Sequence, residues 1–269
     1  MFFNEYDQVG QFLNLSYLYN RGDVPLMRVP YPHDVNHWVS FKSTITHLLQ
    51  YHFEPLVLFD SFYSDASMNE RIDKLRYHFS DIKYFQLFNE LPLCVYPGQQ
   101  MSGLDELIQK TNEYTKLLKL RFLGSRVVSM APANSLQFID YNKHWKTNRM
   151  QLEAFMKESN VDIIGLHCYV SNKTHEFNFR YLIDYIKQWN VYGKDIWITE
   201  TGIENWDKHV VLYDEWVSRF RQYIPFVKKV FWYRQTINYI DAPDGLFALE
   251  ARDPYKTSPL YKKLHTVHD

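Results

Sequence analysis

Residues 161–168 read VDIIGLHC and residues 194–200 read KDIWITE, two short apolar runs that each end in residues capable of chemistry. Near-continuous apolar runs of this kind are typical of strands covered on both faces, as in parallel sheets. The interval between the two runs is long enough for a helix and its connections. Together they have the form of a strand–helix–strand unit, which indicates an α/β chain with parallel strands.

The same alternation continues in both directions along the chain. Strands are predicted at residues 24–29, 55–60, 83–88, 126–131, 161–168, 194–200 and 228–233. Helices are predicted near residues 6–20, 37–51, 66–79, 104–122, 147–159, 177–189, 209–223 and 257–265. The clearest helix, 104–122, has an apolar stripe of period 3.6, and Ser102 or Gly103 is expected to begin it. Since no linker interrupts the pattern, we expect one domain over residues 1–269.

Repeated parallel βα units indicate a (β/α)8 TIM barrel, for which 269 residues is an ordinary length. Seven strands are visible, and only residues 1–4 are available for the first one, which is therefore expected to be short or missing. An open α/β sheet of seven strands is the alternative. The barrel is favoured because polar and aromatic residues recur at the strand ends, where barrels carry their sites.

Composition excludes several classes of function. The 30 basic and 31 acidic residues are scattered, which argues against binding of nucleic acid or of a charged membrane surface. No apolar run approaches the roughly 20 residues that span a bilayer, and the N-terminus lacks the features of a signal peptide. We expect a soluble monomer, cytoplasmic as the chain stands, or secreted if an export signal has been trimmed.

Cofactor and metal motifs are absent from the sequence. The 11 histidines include no pair at ligand spacing with a carboxylate partner, and Cys94 and Cys168 form neither a disulfide framework nor a metal motif. The glycine patterns of dinucleotide sites, phosphate-binding loops and serine hydrolases do not occur either. We therefore expect no cofactor and no metal.

Candidate site residues lie at the ends of five predicted strands. Counting the short N-terminal strand as the first, they are Arg28 on the second, Asn89-Glu90 after the fourth, His167 and Tyr169 on the sixth, Glu200 on the seventh and Trp232 on the eighth. Taken singly, a strand-end glutamate is more often ion-paired and a histidine in an apolar run is more often part of the core. Their joint placement on one rim is what indicates a site.

This arrangement resembles clan A glycoside hydrolases, the group that holds families 5 and 39. The likeness rests on Asn89-Glu90, Glu200 and Trp232, and on Gly245-Leu246 followed by Ser258-Pro259-Leu260-Tyr261 near the end of the chain. Asp60 stands where family 5 has a third-strand histidine. The resemblance implies a retaining β-glycosidase that degrades a carbohydrate by double displacement.

The resemblance also implies roles for individual residues. It makes Glu200 the nucleophile and Glu90 the acid/base, with Asn89 on the sugar 2-hydroxyl and Tyr169 and His167 near the nucleophile. Retention requires two carboxyls about 5–5.5 Å apart. Arg28 and Tyr169 are expected to hold the pKa of Glu200 low, and its charge to keep Glu90 protonated. Trp232 is expected to stack on the sugar.

Weaker candidates and two alternative functions remain open. His33 is a possible cleft residue, Asp34 is either a cleft residue or a helix cap, and the loop residues Asn134, Tyr141, Trp145 and Trp206 are possible substrate contacts. One alternative function is a carbohydrate-binding barrel without turnover. The other is a transglycosylase, in which a sugar hydroxyl replaces water at the same intermediate.

Overall fold

Seven strands form one parallel sheet in the computed structural model, which describes residues 26–60, 63–89, 103–131, 153–170, 192–203, 210–211, 214, 227–232, 236–237 and 250–251. The strands are β1 (Leu26–Pro30), β2 (Glu54–Phe59), β3 (Tyr84–Leu87), β4 (Arg126–Val128), β5 (Ile163–Val170), β6 (Asp195–Ile203) and β7 (Val227–Trp232). All seven predicted strands are confirmed, with their ends displaced by a few residues. They are short and apolar because both faces of the sheet are covered.

The strand order supports a barrel rather than a doubly wound sheet. Each strand from β1 to β7 pairs with the next one along the chain, and every pair is parallel. A doubly wound sheet reverses its order at a switch point, whereas a (β/α)8 barrel keeps sequential order throughout. Residues 1–25, which include the predicted first strand and the helix at 6–20, lie outside the described residues.

Three complete helices cover the outer face of the sheet. They are α1 (Trp38–Gln50), α2 (Asp65–His78) and α3 (Leu104–Arg121), and they confirm the helices predicted at 37–51, 66–79 and 104–122. Each buries one stripe of side chains, as α1 does with Phe41, Ile45 and Leu48. The cap residue of α3 is Gly103, and Ser64 caps α2 by accepting a hydrogen bond from the Ser67 N–H.

The remaining predicted helices are described only in part. Residues 153–158 are helical within the predicted segment 147–159, and residues 210, 211 and 214 are helical within 209–223. The segments 177–189 and 257–265 lie outside the described residues. Within the described part of the chain, no helix is both long enough and apolar enough to cross a bilayer.

A second sheet was not predicted. Strands β8 (Thr236–Ile237) and β9 (Glu250–Ala251) form a short parallel pair. Two residues are too few to leave a periodic pattern in the sequence.

The sheet has two differently occupied faces, and the candidate site lies on the inner one. The outer face packs against the helices through a large apolar core. A smaller inner cluster consists of Leu56, Val128, Ile163, Trp197 and Phe231, with Leu26 and Tyr84 packed beside it. Residues two apart in a strand share a face. Arg28 follows Leu26, and Gln86 follows Tyr84, at that spacing, so both lie on the inner face, further toward the carboxyl ends of the strands.

Candidate active site

A buried ion pair between Arg28 and Glu200 forms the centre of the site. Arg28 on β1 is 0% exposed and Glu200 on β6 is 3% exposed. The Arg28 Nη1 donates to Glu200 Oε1 at 2.6 Å. His167 on β5 places its Nε2 3.4 Å from the same oxygen. Two buried side chains from different strands therefore converge on one carboxylate oxygen.

The direction of the Glu200 side chain depends on a change of register between β5 and β6. Leu166 is the partner of Ile198, but the next residue, His167, is the partner of Glu200, so Thr199 is an extra residue on β6. Strict alternation would put Glu200 on the face opposite Trp197. An extra residue reverses the alternation beyond it and re-aims the following side chain. Glu200 therefore lies on the inner face with Arg28.

Three side chains hold the guanidinium of Arg28: Glu200 on β6, Gln86 on β3 and Asn89 just after β3. Besides its bond to Glu200, Arg28 donates from Nε to Gln86 Oε1 at 2.5 Å and from Nη2 to Asn89 Oδ1 at 2.6 Å. The guanidinium is planar and its donors have fixed directions, so three bonds to separate nitrogens determine its position and its plane. The same group thus ties Glu200 to the residue that precedes Glu90.

The backbone is strained just before Asn89. Phe88 has φ of 66°, in the left-handed region that bulky residues avoid. The Phe88 N–H donates to Phe59 O at 2.6 Å, and the Phe88 ring centroid lies 5.9 Å from that of Tyr114. The next N–H, that of Asn89, donates to Asp60 O at 3.4 Å. Such a conformation costs about 1–3 kcal/mol and persists where the surroundings impose it. It turns the chain at the end of β3 so that Asn89 meets Arg28.

A second polar group lies at the adjacent rim, where β1 and β2 end. His33 Nε2 is 2.9 Å from Asp60 Oδ2, and the His33 side chain is 60% exposed. Asp60 is also the residue whose carbonyl accepts from the Asn89 N–H. The predicted cleft residue His33 is therefore at an accessible edge beside the buried network. Asp34 instead caps a 3-10 turn, since its Oδ1 accepts from the N–H groups of Asn36 and His37.

Arg71 on α2 contacts the residues that carry this rim. Its guanidinium lies 5.3 Å from the ring centroid of Tyr31 and 4.1 Å from that of Tyr63, and it donates to the carbonyls of Pro32 and His33. Burial raises the pKa of Tyr31 to about 12, and the charge of Arg71 offsets only part of that rise. Burial also raises the pKa of Tyr63, so both phenols stay neutral at ordinary pH. The loop that carries His33 is held by a cation stacked on two rings.

The structure brings together four of the predicted site residues: Arg28, Asn89, His167 and Glu200. Tyr169 and Trp232 lie on the backbones of β5 and β7, and their side chains are outside the described part of the chain. Glu90, Asn134, Tyr141, Trp145 and Trp206 are outside it as well. Their roles stay predictions.

Gln86 was missed in the sequence. It is fully buried, and it binds the arginine that holds Glu200. The signal that could have revealed it is a glutamine in the middle of the apolar run YFQL, because a buried amide needs partners. Within the described residues, no cluster of three or more His, Cys, Asp or Glu side chains could hold a metal ion.

Comparison with known proteins gives both a family and a fold. The family model of the glycosyl hydrolase catalytic core matches residues 27–246. The structure is similar to an endo-β-1,4-glucanase from Xanthomonas axonopodis pv. citri, with a TM-score of 0.68 and 10% identity over 97% of this chain and 89% of that one. It is also similar to xylanase 10B from Thermotoga petrophila RKU-1, with a TM-score of 0.59 and 13% identity over 99% of this chain and 98% of that one.

A third similar structure is a β-glucuronidase from Bacteroides uniformis, with a TM-score of 0.61 and 11% identity. The match covers 98% of this chain but only 33% of the glucuronidase, so the present chain spans about a third of that protein. No curated protein matches the chain in sequence. Structural likeness over nearly the whole chain, together with the sequential order of parallel strands, confirms the (β/α)8 barrel.

Proposed function

Because the chain belongs to the glycosyl hydrolase catalytic core family, we propose that it cleaves a β-glycosidic bond of an oligo- or polysaccharide with retention of configuration. In this proposal Glu200 is the nucleophile and Glu90 is the acid/base. The observation that carries it is the buried Glu200 carboxylate, bonded at 2.6 Å to an equally buried arginine. The chain is also proposed to be one catalytic domain over residues 1–269.

The surroundings of Glu200 suit a nucleophile. Attack on the anomeric carbon requires the ionised carboxylate. Burial alone would favour the neutral acid, but a guanidinium at hydrogen-bond distance favours the charged form, and arginine does not deprotonate in proteins. Arg28 therefore supplies the positive charge that lets a carboxylate remain ionised away from water. His167, 3.4 Å from Oε1, lies against the same oxygen.

The position of Asn89 supports the proposed role of Glu90. Glu90 follows Asn89 directly in the sequence, and Asn89 shares the Arg28 guanidinium with Glu200. A negative charge at Glu200 would disfavour ionisation of a neighbouring carboxyl and keep it ready to protonate the leaving oxygen. Once the glycosyl ester forms, that charge is lost and Glu90 can act as the base that activates water.

The proposed substrate is a β-linked carbohydrate. The glucanase, the xylanase and the glucuronidase above differ in the sugars that their names specify, and two of the three names specify a β linkage. Sugar contacts are assigned to Asn89 through its amide nitrogen, to His33 at the exposed rim, and to Tyr169, Trp232, Asn134 and Trp206 from their places in the sequence. A panel of aryl β-glycosides and polysaccharides would identify the sugar.

Replacement of Glu200 tests the nucleophile. Glu200→Ala should abolish turnover of an aryl β-glycoside, and added azide should restore it with an α-glycosyl azide as the product, because azide occupies the space of the lost carboxylate. Glu113→Ala is the matched control, since Glu113 is exposed on α3 and bonds only to neighbours there among its described contacts. Wild-type turnover by Glu200→Ala would refute the assignment.

Replacement of Glu90 tests the acid/base separately. Glu90→Ala should slow hydrolysis of substrates with poor leaving groups by far more than that of activated aryl glycosides, since only the former need protonation. The measurement is log kcat/KM against leaving-group pKa for both proteins. An unchanged slope would assign the acid to another residue. NMR of the first-formed anomer tests retention independently.

A further inference from the structure

Gln86 is a buried polar residue whose side-chain amide has one partner for its oxygen and another for its nitrogen. It is 0% exposed, and its neighbours on β3, Phe85 and Leu87, face the apolar core. Its Oε1 accepts from Arg28 Nε at 2.5 Å, and its Nε2 donates to the carbonyl of Ser129 at 3.4 Å. The reversed amide would set N–H against N–H and oxygen against oxygen, so one orientation satisfies both partners.

Ser129 is itself held in place by the sheet. Its N–H donates to the Ile163 carbonyl at 2.8 Å, and its Oγ accepts from the Gly165 N–H at 3.0 Å. Gly165 allows this close approach, because a Cβ there would lie 2.8 Å from the Ser129 carbonyl oxygen. One end of the Gln86 amide is therefore fixed to the pairing of β4 and β5, and the other end is fixed to Arg28.

The contact with Arg28 Nε acts on the whole guanidinium. Since the group is planar, a bond at Nε helps to determine where Nη1 and Nη2 point. Those two nitrogens bind Glu200 and Asn89, which are the proposed nucleophile and the neighbour of the proposed acid/base. Gln86 touches neither carboxylate, and it acts on Glu200 only through Arg28.

We propose that Gln86 is a positioning residue which directs Arg28 at Glu200, and that it does so as a neutral amide. A carboxylate at this position would form a second ion pair with Arg28 and so weaken the effect of the Arg28 charge on Glu200. It would also face the Ser129 carbonyl oxygen without a hydrogen to donate. The effect on the reaction rests on the proposed function. The effect on ionisation of Glu200 does not, because it follows from the contacts alone.

Two substitutions test the proposal, with a matched control. Gln86→Glu keeps the shape and changes the charge, and Gln86→Met keeps the length and removes both hydrogen bonds. Gln109→Met is the control, because Gln109 is exposed on α3 and bonds to Glu113. The first readout is titration of the Glu200 carboxyl carbon by NMR, assigned by its loss in a Glu200→Gln version of each protein.

We expect the titration midpoint of Glu200 to move to higher pH in Gln86→Glu and to stay unchanged in Gln109→Met. An unchanged midpoint in a folded Gln86→Glu protein overturns the proposal, whether or not the protein hydrolyses a glycoside. The second readout is the pH profile of kcat/KM on an active aryl β-glycoside. Its acidic limb should move in the same direction in Gln86→Glu, and Gln86→Met should lower kcat by about 10–100-fold with a smaller change in KM.

Failure of the proposed function would show differently. A Glu200→Ala protein that keeps wild-type turnover removes Glu200 from the reaction but leaves the NMR comparison intact. Conversely, if Glu200→Ala is inactive and Gln86→Met keeps kcat within twofold of wild type, the nucleophile stands and the positioning role of Gln86 is wrong.

Discussion

Arg28→Met removes the cation from the buried pair at the centre of the site. Arg28 is 0% exposed, Glu200 is 3% exposed, and the bond between them is 2.6 Å long. The substitution therefore leaves a buried carboxylate without its guanidinium. Loss of one partner from a buried pair costs about 3–5 kcal/mol of unfolding free energy. Each kcal/mol lowers the Tm of a chain of this size by about 2–4 °C, so we expect the Tm to fall by about 6–20 °C.

The assay is thermal and urea unfolding at pH 7, with Arg121→Met as the matched control. Arg121 also binds a carboxylate, with its Nε 2.8 Å from Asp73 Oδ1, but this pair is exposed. Exposed pairs contribute about 0–1 kcal/mol. The two variants make the same substitution at a similar bond length, so the difference between them measures the effect of burial.

The pH dependence of Arg28→Met identifies the source of the loss. Without the cation, burial should raise the pKa of Glu200 above its value in the unfolded chain. A carboxyl that binds its proton more tightly in the native state makes stability fall as pH rises. The deficit relative to wild type should therefore shrink as pH is lowered from 7 to about 5. Addition of Glu200→Gln should recover part of the loss at pH 7. A deficit no larger than that of Arg121→Met, or no recovery in the double variant, would refute the reasoning.

Four further predictions concern Cys168, Lys194 and Gly165. Cys168 is 0% exposed and burial raises the pKa of its thiol, so peptide mapping should find it unalkylated by iodoacetamide at pH 8.5 in native protein and alkylated in urea. Lys194 donates to carbonyls at the end of the helix at 153–158, and Lys194→Met should cost about 1–3 kcal/mol in urea unfolding. Burial lowers the pKa of Lys194, so as pH rises the native state loses the Lys194 proton at a lower pH than the unfolded chain does. The unfolding free energy of wild type relative to Lys194→Met should therefore rise as pH approaches about 10.4. Gly165→Ala places a Cβ 2.8 Å from the Ser129 carbonyl and should cost about 1–3 kcal/mol by thermal unfolding; wild-type stability would show that β4 and β5 can separate there.

The strands and the long helices could be predicted because their signals are local. The run at 55–60 became β2 (Glu54–Phe59), and the stripe at 104–122 became α3 (Leu104–Arg121). Apolar periodicity is a property of neighbouring residues, and it survives in any fold that buries one stripe of a helix or both faces of a strand. The pair β8 and β9 was missed because each strand has only two residues.

The sequence by itself determined which chemical groups stand at the strand ends: an arginine on the first described strand, an Asn-Glu pair after the third, and a glutamate on the sixth. Only the tertiary structure decided that Arg28 and Glu200, 172 residues apart, share a hydrogen bond. The extra residue Thr199, which turns Glu200 to the inner face, left no signal in the sequence. The glutamine in YFQL indicates a buried amide, but only the structure shows that its partner is Arg28. The physical reason is that these contacts arise from the register and curvature of a sheet whose strands come from distant parts of the chain.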